Sequence, residues 1–148
     1  MKKNAFLPAL PAVALAKAGA MILFFSILLF TACNEDKKQV QALAKETETI
    51  HDEAMKDLAD MNRVARELKQ TMMAAMMNPE QSAAYTEALT AMGKAENNMM
   101  DWMKNYKSPD AMPAADALKY LQDQKALIEQ NRVDIKAAME AGTKLQGR

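Results

Sequence analysis

From Val40 to Met77, apolar or small residues recur at steps of three and four: Val40, Leu43, Thr47, Ile50, Ala54, Leu58, Met61, Ala65, Leu68, Met72 and Ala75. A repeat near 3.5 residues is that of a helix burying one stripe against a partner helix. The single four-four step, Ala54 to Leu58, reads as a stutter in that heptad. The opposite face carries Glu46, Glu53, Lys56, Asp60, Arg63 and Glu67 and reads as solvated. Asn78-Pro79-Glu80-Gln81 ends this helix and starts the next. Asn suits an N-cap, Pro the first helical position, and Gln at the third completes a capping box. A regular heptad follows at Tyr85, Ala88, Met92, Ala95, Met99, Trp102 and Tyr106, widened by Leu89 and Met103. Trp102 and Tyr106 are expected to pack the core at its far end. Gly93 interrupts the helix at a cost of about 1 kcal/mol against alanine, and a close helix approach is the expected reason.

Ser108 to Pro113 forms the second connection. A third stripe comprises Ala117, Leu118, Leu121, Ile128, Ile135, Ala138, Met139 and Gly142. Gln124, Lys125, Asn131 and Arg132 interrupt it, either to fix register or to leave a groove open. The pattern predicts helices over 40–77, 79–107 and 113–145. Short connections favour antiparallel neighbours. The expected fold is all-α: an up-down-up three-helix bundle of long, coiled-coil-like helices over residues 40–148.

Ahead of this bundle the pattern changes. Lys2 and Lys3 open the chain, Met21 to Phe30 is an unbroken run of apolar residues save Ser26, and Thr31, Ala32 and Cys33 follow. A basic start, an apolar core and small residues are the marks of an export signal. The stretch from Ala18 to Ala32 falls short of the roughly 20 residues a spanning helix needs. Thr31-Ala32-Cys33 resembles the lipobox of bacterial lipoprotein signals, although Phe30 stands where leucine is usual. The resemblance implies a leader at 1–32, cleavage before Cys33, and acyl chains, palmitate among them, on the Cys33 sulfur. An ordinary secretory signal with a stray cysteine and an uncleaved anchor are the competing readings. Residues 33–39 read as a polar, lipidated tether. Asn34 after the cysteine differs from the Asp that resembles an inner-membrane retention signal, which points to the outer membrane. Glu35 and Asp36 resemble the acidic export signal of Bacteroidota surface lipoproteins.

Composition narrows the function. The 19 basic and 19 acidic residues cancel, but Lys2, Lys3 and Lys17 lie in the leader and no acid precedes Glu35. The bundle is therefore slightly acidic and shows no basic patch, which argues against nucleic acid. One cysteine excludes an internal disulfide or a cysteine-based zinc cluster. Of 14 methionines all but Met1 and Met21 follow Cys33. With the lipid on Cys33 as membrane anchor, the expected partners are a membrane surface and either another protein or a second copy of the chain.

Ile50-His51-Asp52-Glu53-Ala54-Met55, Met99-Met100-Asp101-Trp102-Met103-Lys104-Asn105-Tyr106 and Tyr120-Leu121-Gln122-Asp123-Gln124-Lys125 resemble a group of small Bacteroidota lipoproteins often labelled "viral A-type inclusion protein". The resemblance covers most of residues 33–148. It implies long helices and an envelope lipoprotein, and no established activity.

Candidate chemistry is confined to two places. Glu48, His51, Asp52 and Met55 share one helix face. His51 lies 27 residues before Asn78, and Asp101 to Asn105 lie 23 to 27 after it. An antiparallel hairpin sets these at one level. His51 and Met55, joined by Met99, Met100 or Met103, then form a candidate soft-metal site of the copper type; the competing reading is that the methionines fill the core. Met72, Met73, Met76 and Met77 encircle the end of the first helix, with Met72 and Met76 on the seam. They read as a wide apolar stripe, or as an exposed patch such as a holdase-like envelope chaperone uses. No nucleophile stands with a base, because the sole cysteine is taken by lipid. The sequence predicts a non-enzymatic envelope lipoprotein, anchored through Cys33 and requiring no cofactor beyond that lipid.

Overall fold

The computed structural model of the chain describes residues 14–147, with side-chain surroundings from residue 35 onward. Its elements are α1 (Ala14–Ala74), α2 (Pro79–Asn105), a short 3-10 turn (Pro109–Ala111) and α3 (Ala114–Leu145). The chain divides into two compact units, Met1–Lys38 and Gln39–Arg148. Lys2, Lys3 and the rest of residues 1–13 lie outside the described residues, as do the side chains of Cys33 and Asn34. Among the described residues no helix is long and apolar enough to cross a membrane.

Residues 33–39, read from the sequence as a polar tether, are helical and lie within the span of α1. Glu35, Asp36, Lys37, Lys38 and Gln39 include no glycine or proline to break a helix, and most are good helix formers. Three boundaries also shift. The first helix stops at Ala74 rather than Met77, the second at Asn105 rather than Lys107, and the third starts at Ala114, with Pro113 as its N-cap. The Asn78 boundary is as expected: Asn78 Oδ1 accepts from Gln81 N at 2.8 Å, and Gln81 Oε1 accepts from Asn78 N at 3.1 Å.

The second unit is a three-helix bundle with an up-down-up course. Lys125 bonds Glu46, Arg132 bonds Glu53, and Gln146 bonds Glu67, each pair 79 residues apart, so α1 and α3 run parallel in one fixed register. The reverse trend marks α2 as antiparallel to both. Asn62 meets Glu96, Asn98 meets Asn131, and Tyr85 meets Leu145. The core is Ala54, Leu58, Met61, Val64, Ala65 and Leu68 of α1, Ala88, Met92, Ala95 and Met99 of α2, and Ile128, Ile135 and Ala138 of α3.

Burial replaces the expected stutter with two stripes. Val64 and Ala65 are both buried, and so are Ala54 and Leu58. A helix with two neighbours needs a face wide enough for both, so the heptad continues through Asp57 and Val64 while Leu58 and Ala65 widen it. Asp57 holds its place in the seam by accepting from Arg132 Nε at 2.8 Å, with Lys136 Nζ at 3.6 Å. Glu46, Glu53 and Glu67, expected to be merely solvated, reach across to α3. Ala75 and Met76, expected on the seam, are exposed because the helix has already ended.

The glycines exchange roles relative to expectation. A Cβ on Gly93 would meet nothing within 4 Å, so no close approach explains that glycine. The tight crossing is at Gly142, where a Cβ would run into Met92 Cε and lie 3.0 Å from Leu68 Cδ1 and 3.1 Å from Val64 Cγ1. Gly93→Ala is therefore expected to stabilise the bundle by about 1 kcal/mol. Gly142→Leu is expected to cost about 1–3 kcal/mol by overpacking, and Ile128→Ala about 2–5 kcal/mol. Urea denaturation of the three variants checks the signs; a destabilised Gly93→Ala would contradict the open space at that site.

Candidate functional site

Aromatic residues are scarce in this chain, and all four phenylalanines precede Cys33. After it stand only Tyr85, Trp102, Tyr106 and Tyr120, and three of these gather at one end of the bundle. The antiparallel return of α2 carries Trp102 onto His51 of α1, as the equal-level argument requires. The two rings stack with centroids 5.6 Å apart and planes 25° from parallel. Trp102 then meets Tyr106 at 5.0 Å, and Tyr106 meets Tyr120 of α3 at 6.0 Å. A ladder of four rings thus links all three helices. Its members are half-buried; Trp102 packs against the core as the sequence suggests, and Tyr106 lies beside it. The Tyr120 hydroxyl accepts from the Lys107 amide at 2.7 Å and fixes the chain where it leaves α2.

Beside the ladder lies an open groove of about 710 Å³. One wall is α1 through Gln41, Ala44, Lys45, Thr47, Glu48 and His51. The other is Trp102, Met103 and Tyr106, and the connection supplies Ser108, Pro109 and Asp110. Local bonds shape this rim. Ser108 caps the 3-10 turn, its Oγ 2.6 Å from Asp110 Oδ2, and Pro109 is buried. Thr47 Oγ1 turns back to the Leu43 carbonyl at 2.8 Å, which allows a polar residue to sit buried there.

His51 Nδ1 lies 3.1 Å from Asp52 Oδ1. An ionised carboxylate only accepts, so Nδ1 carries the proton and neutral His51 presents a lone pair at Nε2. Nε2 is buried and has no hydrogen-bond partner in the protein, and the same holds for Trp102 Nε1. Buried polar atoms are normally paired, and leaving one unpaired costs about 1–3 kcal/mol. Two such atoms on stacked rings mark this end of the bundle as unfinished.

The four residues of the candidate metal set separate. His51 and Met103 line the groove. Met55 lies one turn along α1 from His51 and packs half-buried against the core. Met99 is fully buried within the core, and Met100 is exposed. Among the described residues no three His, Cys, Asp or Glu side chains converge as metal ligands. Tyr120, Ser108, Pro109 and Asp110 are parts of the site that sequence reasoning missed; the crowding of aromatics between 102 and 120 was the available signal. At the opposite end Met73 and Met76 are almost wholly exposed. A second depression, on the outer face of α2 between Pro79 and Lys94, is lined mostly by small side chains, with Glu87 and Lys94 as its charged members.

No protein-family model, curated protein or solved structure matches this chain.

Burial pushes the Tyr106 hydroxyl above its ordinary value of 10.0, and Tyr120, Glu48 and Asp110 add to the shift. The folded state thus keeps that proton longer than the unfolded chain. Stability supported by the protonated hydroxyl is fully present below 10.0 and lost as pH rises through the folded value. Denaturation followed from about pH 9 to pH 11 is expected to show a smaller loss of stability in Tyr106→Phe than in the parent chain. Equal losses would place Tyr106 in solvent.

Proposed function

We propose that this chain is a non-catalytic, lipid-anchored envelope protein that works by binding, with the groove at its aromatic end as the binding surface. One observation carries the binding reading. The only end of the bundle where aromatic rings gather is also the end where two buried ring nitrogens lack partners beside an open groove. The anchor reading is supported by Thr31-Ala32-Cys33 after an apolar run, and by the resemblance to small Bacteroidota lipoproteins. Asn34 after the cysteine favours the outer membrane of a Gram-negative bacterium. Gln41, the first groove residue, follows Cys33 by eight positions. Even fully extended, that length of chain spans at most about 29 Å, so the groove would work close to the lipid surface. Several acyl chains hold a protein far more firmly than one, so the attachment is stable.

Cys33→Ser is expected to abolish incorporation of labelled palmitate and to release the protein from the membrane fraction. Retention in that fraction without label would replace the lipid anchor with an uncleaved apolar leader. A second reading, a holdase-like chaperone, is favoured by the exposure of Met73 and Met76, since flexible thioether surfaces accept varied apolar partners. On that reading the protein slows aggregation of an unfolded client severalfold and Met73→Gln with Met76→Gln removes the effect; light scattering that is unchanged by the parent protein rejects it.

A further inference from the structure

We propose that His51 Nε2 and the Met103 thioether, beside the stacked ring of Trp102, form a binding site for a soft monovalent cation, Cu(I) or its analogue Ag(I). The inference deepens the binding reading of the groove and rests on it, but is independent of the lipid anchor. His51 carries the argument. The Asp52 carboxylate at Nδ1 holds the imidazole with its Nε2 lone pair free, which is the arrangement that carboxylates impose on metal-binding histidines. Nε2 is withdrawn from solvent and meets no protein donor. A hydrated, hard cation would have to bring its water into that position. A weakly hydrated soft ion would not, and its preferred ligands are imidazole and thioether.

The neighbours agree in chemistry. Met103 lines the same groove as His51 and offers a sulfur from the facing helix. The absence of any three converging His, Cys, Asp or Glu ligands among the described residues tells against a site for zinc or calcium, and leaves the thioether as the distinguishing donor. Trp102 stacks on His51 with ring centroids 5.6 Å apart, which holds the imidazole in place and sets the indole beside Nε2. Glu48 and Asp110 on the groove, with Asp52 behind His51, supply negative charge against the single Lys45. Met99, buried in the core, is outside this set. Asp52 acts as a positioning residue.

The chain has one tryptophan, so its emission reports this site directly. The full-length chain carrying Cys33→Ser, which removes the competing thiol, would be held in detergent micelles and titrated anaerobically with Cu(I) against a chromophoric Cu(I) chelator, and separately with Ag(I). The expected result is one ion per chain with quenching of Trp102. His51→Ala and Met103→Leu each weaken binding by about tenfold or more, and Asp52→Asn by about tenfold. Met99→Leu leaves affinity unchanged, and circular dichroism verifies that each variant is folded. X-ray absorption of the copper-loaded parent chain is expected to show both nitrogen and sulfur scatterers. Absence of quenching at excess metal overturns the proposal, as does a shell without sulfur or full affinity retained in both His51→Ala and Met103→Leu. Because the titrated protein lacks Cys33, a negative result leaves the anchor reading intact, and a failure of lipid labelling leaves the metal site intact.

Discussion

The parallel pairing of α1 with α3 is the constraint from which the other features follow. Apolar burial drives the helices together but is tolerant of sliding. The bonds from Glu46 to Lys125, Glu53 to Arg132 and Glu67 to Gln146 share one offset and fall at multiples of seven along each helix. A shift by one turn would break all three and leave Asp57 in the seam without Arg132. Half-exposed pairs of this kind add little net stability. Their value lies in specifying one register, the best-attested use of polar groups in helical seams. With α1 and α3 fixed, α2 has one slot to fill. Its short turn at Asn78 then determines which of its residues meets which of α1, and Trp102 arrives over His51.

The two ends of the bundle differ in how they are closed. At one, the Tyr85 hydroxyl donates to the Leu145 carbonyl at 3.1 Å, and Gln146 bonds Glu67. The first satisfies a carbonyl that a helix C-terminus leaves open, while Gln146 Oε1 is buried without a partner. At the other, rings stack in place of interdigitated aliphatic side chains, and two ring nitrogens go unpaired. The groove opens beside these rings.

What could be read in the sequence was set by how local each determinant is. The Asn78–Gln81 cap lies within four residues, and both of its bonds are present. The level at which His51 meets α2 followed from counting back from that turn. Features depending on distant partners were misread. Arg132 and Lys125 looked like interruptions of a stripe, because their acids lie 79 residues away or nearly so. Gly93 and Gly142 are alike in the sequence, and only the crossing of Met92, Leu68 and Val64 over one of them tells them apart. The groove was hidden for the same reason. Its walls come from α1, α2 and the connection after α2, and no single stretch of sequence contains it.

Helix α1 forms one wall of the groove and is also the part of the bundle from which the chain continues back toward Cys33. At this end Glu46–Lys125 and the His51–Trp102 stack tie it to its neighbours. Local opening begins where the fewest bonds must break. A load applied along the chain from the Cys33 side would therefore act first on Gln41, Ala44 and Lys45, and would pull one wall of the groove away from the other. In mechanical terms the helix is a lever whose fulcrum is the Arg132 cluster, and tension on the chain and occupancy of the groove act on the same degree of freedom.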